Sequence, residues 1–110
     1  RRPFEAGVNM SKDLPDLENC SRVATILKSM AHPQRLFILC RLHQKECTVT
    51  ELEELTDASQ PQISQHLQRM RHEGLVDSRR EGNFVQYSVK DDHVKVLLDA
   101  LEELYGLSNR

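Results

Sequence analysis

Apolar residues at helical spacing fill most of the chain, and one alternating stretch interrupts them. Leu17, Cys20, Val23, Ala24, Leu27, Met30 and Ala31 share one broad face, so residues 16–31 read as a helix entered through Pro15. Residues 33–44 read as a second helix. Pro33 suits a first turn, where a missing N–H costs little, and Leu36, Phe37, Leu39, Cys40 and Leu42 make this helix central to the core. Residues 50–55 read as a short third helix, with Thr50 and Glu53 as a capping box and Leu52 and Leu55 facing inward. A tight link, Asp57-Ala58-Ser59, leads into residues 59–73, where Ile63, Leu67 and Met70 recur at spacings of four and three as a single apolar stripe. Ser59 is a good N-cap, Gln62 can reach back to it, Pro61 fits the first turn, and Gly74 stops the helix. The period then becomes two. Residues 75–80 and 84–89 read as strands around Glu81-Gly82-Asn83, whose Gly-Asn pair supplies the positive-φ residues of a hairpin turn. Val85, Tyr87 and Val89 take one face of the second strand; Phe84, Gln86 and Ser88 take the other. Residues 91–105 return to helical period behind Asp91 or Asp92, with Val94, Leu97, Leu98, Leu101, Leu104 and Tyr105 as a strong stripe.

The predicted fold is mainly α with a β-hairpin wing (α+β), four helices, two strands and a last helix in that order. A short helix, a tight turn and a second helix form a helix-turn-helix, here followed by a wing. The surface of residues 59–73 singles this helix out. Ser59, Gln60, Pro61, Gln62, Ser64, Gln65, His66, Gln68 and Arg69 are hydrogen-bonding or small groups plus one cation, and no acid falls between Ser59 and Arg71. A merely solvated face would carry Glu and Lys. This one suits contact with phosphates and base edges. Arg79, Arg80 and Asn83 give the hairpin a basic tip that reaches the DNA backbone or minor groove.

Charge supports this placement by its distribution more than by its sum. The net charge of −2 argues weakly against a nucleic-acid ligand. Yet residues 60–90 carry five Arg or Lys against three acids, while the remainder carries ten against fourteen, so the positive charge sits where contact is expected. At 110 residues and 38% hydrophobic, the chain makes one soluble domain. It has no signal-peptide pattern or membrane span, which predicts a cytoplasmic location. Met10 offers a natural start; residues 1–14 read as a flexible N-terminal segment, 15–107 as the domain and 108–110 as a tail. Three cysteines without CxxC spacing predict no disulfide framework.

From Leu17 to Tyr105, about four-fifths of its length, the chain resembles the ArsR/SmtB winged helix-turn-helix repressors. The resemblance is carried by Ala31-His32-Pro33-Gln34-Arg35-Leu36, by Ser59-Gln60-Pro61-Gln62-Ile63-Ser64-Gln65-His66-Leu67, by Gly74-Leu75-Val76, and by Arg80-Glu81-Gly82-Asn83-Phe84-Val85-Gln86-Tyr87. It implies a homodimer joined through the first and last helices, binding an inverted repeat with recognition helices in major grooves roughly 34 Å apart. The seam would then use Leu17, Val23, Leu27, Val94, Leu97, Leu98, Leu101, Leu104 and Tyr105.

The inducer sites of that family are incomplete here. Thr48 and Thr50 stand where metal-sensing members carry Cys-x-Cys. Asp91 and His93 match half of a zinc site whose other half falls on Leu104 and Leu107, so no metal or other cofactor is predicted. The HlyU/BigR-like, metal-independent subgroup looks most similar. Cys40 matches its first reactive thiol, while the second position falls on Gly106. Cys40 and Cys20 are therefore the redox candidates, each set against a buried structural cysteine. Cys47, in the loop before the third helix, reads as exposed. His32 reads as a cap residue, as does His93, and His66 as a DNA-facing one.

The function these readings support is a dimeric, sequence-specific DNA-binding regulator, repressor or anti-repressor. The alternatives are a winged-helix protein-interaction module without DNA contact and a metal-responsive repressor. Paired carboxylates, a nucleophile with its base, and a phosphate loop are missing, which argues against an enzyme.

Overall fold

Each helix begins behind a residue whose side chain accepts a backbone N–H, and these caps set the element boundaries in a computed structural model that describes residues 14–108. The elements are α1 (Leu17–Met30), α2 (Pro33–Gln44), α3 (Val49–Leu55), α4 (Gln60–His72), β1 (Val76–Glu81), β2 (Phe84–Val89) and α5 (Asp92–Tyr105). Asp16 accepts from the N–H of Glu18 at 3.1 Å, and Asp91 from those of His93 and Val94 at 2.8 and 3.3 Å. His32 caps α2 through Nδ1, which accepts the N–H of Gln34 at 3.1 Å. The architecture is the expected winged helix-turn-helix. The reading of residues 1–13 as a flexible segment lies outside the described residues.

The third helix starts earlier than its sequence suggests. Its capping box is Thr48 with Glu51, not Thr50 with Glu53: the Thr48 N–H donates to Glu51 Oε1 at 2.9 Å and the Glu51 N–H to Thr48 Oγ1 at 3.1 Å. The cause lies one residue upstream. Cys47 pairs with Tyr87 of β2, its N–H donating to the Tyr87 carbonyl at 3.2 Å and its carbonyl accepting the Tyr87 N–H at 2.8 Å. That bridge extends Cys47 and frees Thr48 to cap. It also buries Cys47, which the sequence pattern places at the surface.

β1 and β2 pair antiparallel from Val76↔Val89 to Glu81↔Phe84, leaving Gly82-Asn83 as a two-residue turn. Only Gly82 of that pair has positive φ (61°), so Asn83 does not supply the second one expected. Opposite residues share a face. Val76 and Val89 close the core; Arg79, Glu81, Gln86 and Phe84 lie on the other side.

The core is fully buried at Ile38 and Leu39 of α2, Leu52 of α3 and Ile63, Leu67 and Met70 of α4, with Leu75, Val76, Val94 and Leu98 completing it. Val94 and Leu98, assigned from sequence to a subunit seam, therefore serve their own chain. The two sets separate along α5: Leu97 and Leu101 are half-buried, whereas Leu104 and Tyr105 are 73% and 71% exposed. On α1 only Ser29 and Met30 are buried, while Leu17, Val23 and Leu27 face outward. Cys20 is exposed as well, on the outward part of α1 with Leu17 and Val23. Ser108, read from sequence as tail, ties back: its N–H and hydroxyl donate to Glu102 at 2.9 and 2.7 Å, and Gln44 of α2 donates to its hydroxyl at 3.0 Å.

α4 ends in a Schellman turn that aims β1. The Gly74 N–H donates to the Arg71 carbonyl at 3.0 Å and the Leu75 N–H to that of Met70 at 2.8 Å, with Gly74 at φ 80°. A Cβ at Gly74 would meet nothing within 4 Å, so the cost of adding one is conformational alone. Gly74→Ala should destabilise the fold by about 1–2 kcal/mol in urea unfolding; a midpoint equal to that of the unmodified chain would contradict this turn.

Candidate nucleic-acid interface

The helix-turn-helix unit is α3, the link 56–59 and α4. Thr56 Oγ1 accepts the Ala58 N–H at 3.1 Å, and Ala58 is buried, so the link is pinned at both ends. Ser59 and Gln62 then close a full capping box. The Ser59 N–H donates to Gln62 Oε1 at 2.8 Å, and the Gln62 N–H lies 3.4 Å from Ser59 Oγ. Both residues are exposed, but the amide oxygen of Gln62 is already occupied in holding the helix start.

Because the fully buried residues of α4 are Ile63, Leu67 and Met70, most of its circumference is exposed. Gln60, Pro61, Gln65, Gln68 and Arg69 are exposed, and Ser64 is half-buried at the margin. Gln65, Gln68, Arg69, Arg71 and His72 line one shallow surface groove. Arg71 and His72 were missed from sequence because bases in a last turn read as partners of the helix dipole. The first acid, Glu73, lies 3.6 Å from Arg69 in a loose ion pair.

His66 is not where the sequence pattern puts it. It is half-buried, its Nε2 lies 2.8 Å from Gln34 Oε1 of α2, and its ring sits 4.8 Å from that of His32. Burial lowers its proton affinity below the ordinary value of 6.5, helped by the neighbouring His32, Arg35 and Arg69.

The wing arginines differ. Arg79 donates to Glu81 Oε2 at 2.8 Å and to Glu46 Oε1, so two carboxylates offset the charge it offers. The hydrogen bonds it donates to Glu81 and Glu46 push its pKa further up. Arg80 is exposed and has no ion pair among the described residues, and Asn83 is exposed at the tip.

The cysteines are free thiols set apart in character. Cys40 is half-buried, and burial, then Glu102, pushes its thiol pKa up. Burial does the same at Cys47, partly offset by Arg41. In neither case does the setting lower the thiol pKa as an activating site would. Asp91 is occupied as the cap of α5, and His93 points into solvent 3.6 Å from it. Among the described residues no group of three His, Cys, Asp or Glu converges as a metal site.

This geometry has known relatives. The family described as "Bacterial regulatory protein, arsR family" matches residues 32–78, from the cap of α2 into β1. The chain is 37% identical over 109 residues to the transcriptional activator HlyU of Vibrio cholerae, spanning 98% of this chain and 99% of that protein. It is 41% identical over 105 residues to the biofilm growth-associated repressor of Agrobacterium fabrum, spanning 94% and 90%. The solved structure of reduced HlyU from V. cholerae superposes with a TM-score of 0.77 at 39% identity, covering 80% of this chain and 93% of that one. The chain belongs to the ArsR family of bacterial regulatory proteins, and is a DNA-binding transcriptional regulator rather than an enzyme.

Proposed function

We propose that two copies of the chain join through α1 and α5 and read an inverted-repeat operator in the cytoplasm, with α4 in the major groove and the wing on the backbone or minor groove. The observation that carries this reading is the acid-free polar face of α4, left clear by a three-residue apolar stripe. The exposed apolar side chains of α1 and the end of α5 support the dimer, since Leu17, Leu104 and Tyr105 are largely open and Leu27 half open to solvent. Gln60, Pro61, Ser64, Gln65 and Gln68 face base edges. Arg69, Arg71 and Arg80 neutralise phosphates, and Asn83 adds a neutral contact at the tip. Arg79 braces the wing through Glu46 and Glu81, while Ser59 and Gln62 hold the helix start. Among relatives, one is named an activator and another a repressor; the sign of regulation follows from where the operator lies, and repression or anti-repression fits the same geometry. A thiol response through Cys40 would have to overcome its burial and the glycine at 106.

Selection of bound genomic DNA, followed by affinity measurements across salt, tests the reading. Binding that stays at non-specific strength on every promoter fragment in low salt would sink it. Arg80→Ala should weaken all sequences alike and reduce the magnitude of the salt slope by about 1. Gln65→Ala or Gln68→Ala should instead lose discrimination at single base pairs, by about 1–3 kcal/mol, with the slope unchanged. Leu27→Glu or Leu104→Glu should yield a monomer in sedimentation and weaken operator binding by about 10²-fold or more through lost bivalency; a monomeric variant with full affinity would refute the two-copy arrangement.

A further inference from the structure

A helix that buries only one narrow stripe can still roll about it. The described polar tie that checks such a roll from α2 is His66. With Gln34 Oε1 as acceptor at 2.8 Å, the Nε2 of His66 carries the hydrogen. Gln34 is fixed in turn, because its own N–H donates to His32 Nδ1 at 3.1 Å as the cap of α2. That contact exists only while His32 Nδ1 is unprotonated. Three residues thus form one unit, and two of them are histidines with ring centroids 4.8 Å apart.

The surroundings oppose a proton there. His32 faces His66 from the α1–α2 junction, Arg35 from α2 and Arg69 from α4 itself, and all three disfavour its charged form after burial does. Glu73, at the end of α4, pairs with Arg69 and acts on Arg35. A proton on His32 removes the cap of α2, and a proton on His66 places a half-buried cation among cations. His66 binds protons more weakly in the fold than in the open chain. The tie is therefore intact at and above the ordinary histidine value of 6.5 and is lost as pH falls below it, through the lowered value His66 has in the fold.

We propose that His32, Gln34 and His66 form a proton-sensitive latch that holds the recognition helix in its docking orientation, so that operator affinity falls in mildly acid medium. The latch rests on the DNA-binding reading, but makes His66 a positioning residue. A histidine touching phosphate would act with the opposite sign, because protonation would add a cation to the interface.

Operator affinity of the full chain is measured at about pH 8 and about pH 5 at constant ionic strength, spanning the histidine range. His66→Gln keeps a donor for Gln34 without titrating, and His32→Asn keeps an N-cap acceptor. On acidification the unmodified chain should lose about tenfold more affinity than His66→Gln, from which it differs at position 66 alone. At the higher pH, His66→Ala and Gln34→Ala should each weaken binding several-fold, roughly as a lost hydrogen bond does, and together no more than either alone. His66→Gln should restore most of the loss seen in His66→Ala. Equal pH dependence in the unmodified chain and His66→Gln, or additive alanine effects, would overturn the latch while leaving DNA binding standing. Failure of the unmodified chain to bind operator at either pH would overturn the DNA-binding reading and the latch with it.

Discussion

Three side chains on one helix, Ile63, Leu67 and Met70, hold the recognition surface to the body of the protein. Each contributes on the order of 1.5–3 kcal/mol by leaving water, enough to attach the helix while most of its circumference stays exposed. A broader apolar face would have submerged the glutamines. A narrower one would have left the helix too weakly attached to be aimed. The stripe ends at Met70, whose carbonyl accepts the Leu75 N–H, so the same residue that anchors α4 also sets the departure of β1. Helix and wing are positioned as one piece.

Electrostatics then decides what such a surface can do. The chain is acidic overall, and two of its cations near the interface are already spoken for: Arg79 by Glu46 and Glu81, Arg69 in part by Glu73. Exposed pairs of this kind are worth little as stabilisers, yet they subtract from the charge offered to a phosphate chain. A binder with few uncommitted cations has weak non-specific attraction. Its preference for particular sites must come from hydrogen bonds at base edges, which is the chemistry that glutamine and serine supply.

Much of this was legible in the sequence, because local rules and tertiary demands agree over α1, α2, α4, α5 and the hairpin. They part where a distant residue intervenes. Thr48/Glu51 and Thr50/Glu53 both satisfy the capping-box spacing, and a bridge from Cys47 to Tyr87, forty positions away, selects the first. That bridge also explains why Cys47 is buried despite its place in a loop. His66 lies between Gln65 and Leu67 on the edge of the apolar stripe, where helical periodicity alone allows it to face either way; its partner on α2 turns it inward. The stripe of α5 looks uniform in sequence, and only the packing of β2 and α2 divides it into Val94 and Leu98, buried in the chain's own core, and Leu104 and Tyr105, left exposed.

That division gives the helix two tasks at once. Through Val94 and Leu98, and through the contact of Asp99 with His43 of α2 at 2.7 Å, α5 is keyed to the helix that carries the His32–Gln34 end of the latch. In the proposed dimer its outer residues would be keyed to a second copy. The spacing of two recognition helices would then be transmitted through a short series: seam to α5, α5 to α2, α2 to α4. Every member of that series but the seam is a contact between side chains already ordered in one chain. A two-fold reader built this way needs no inducer pocket to be responsive, since any change that loosens α2 against α4 alters the aim of both helices by the same amount.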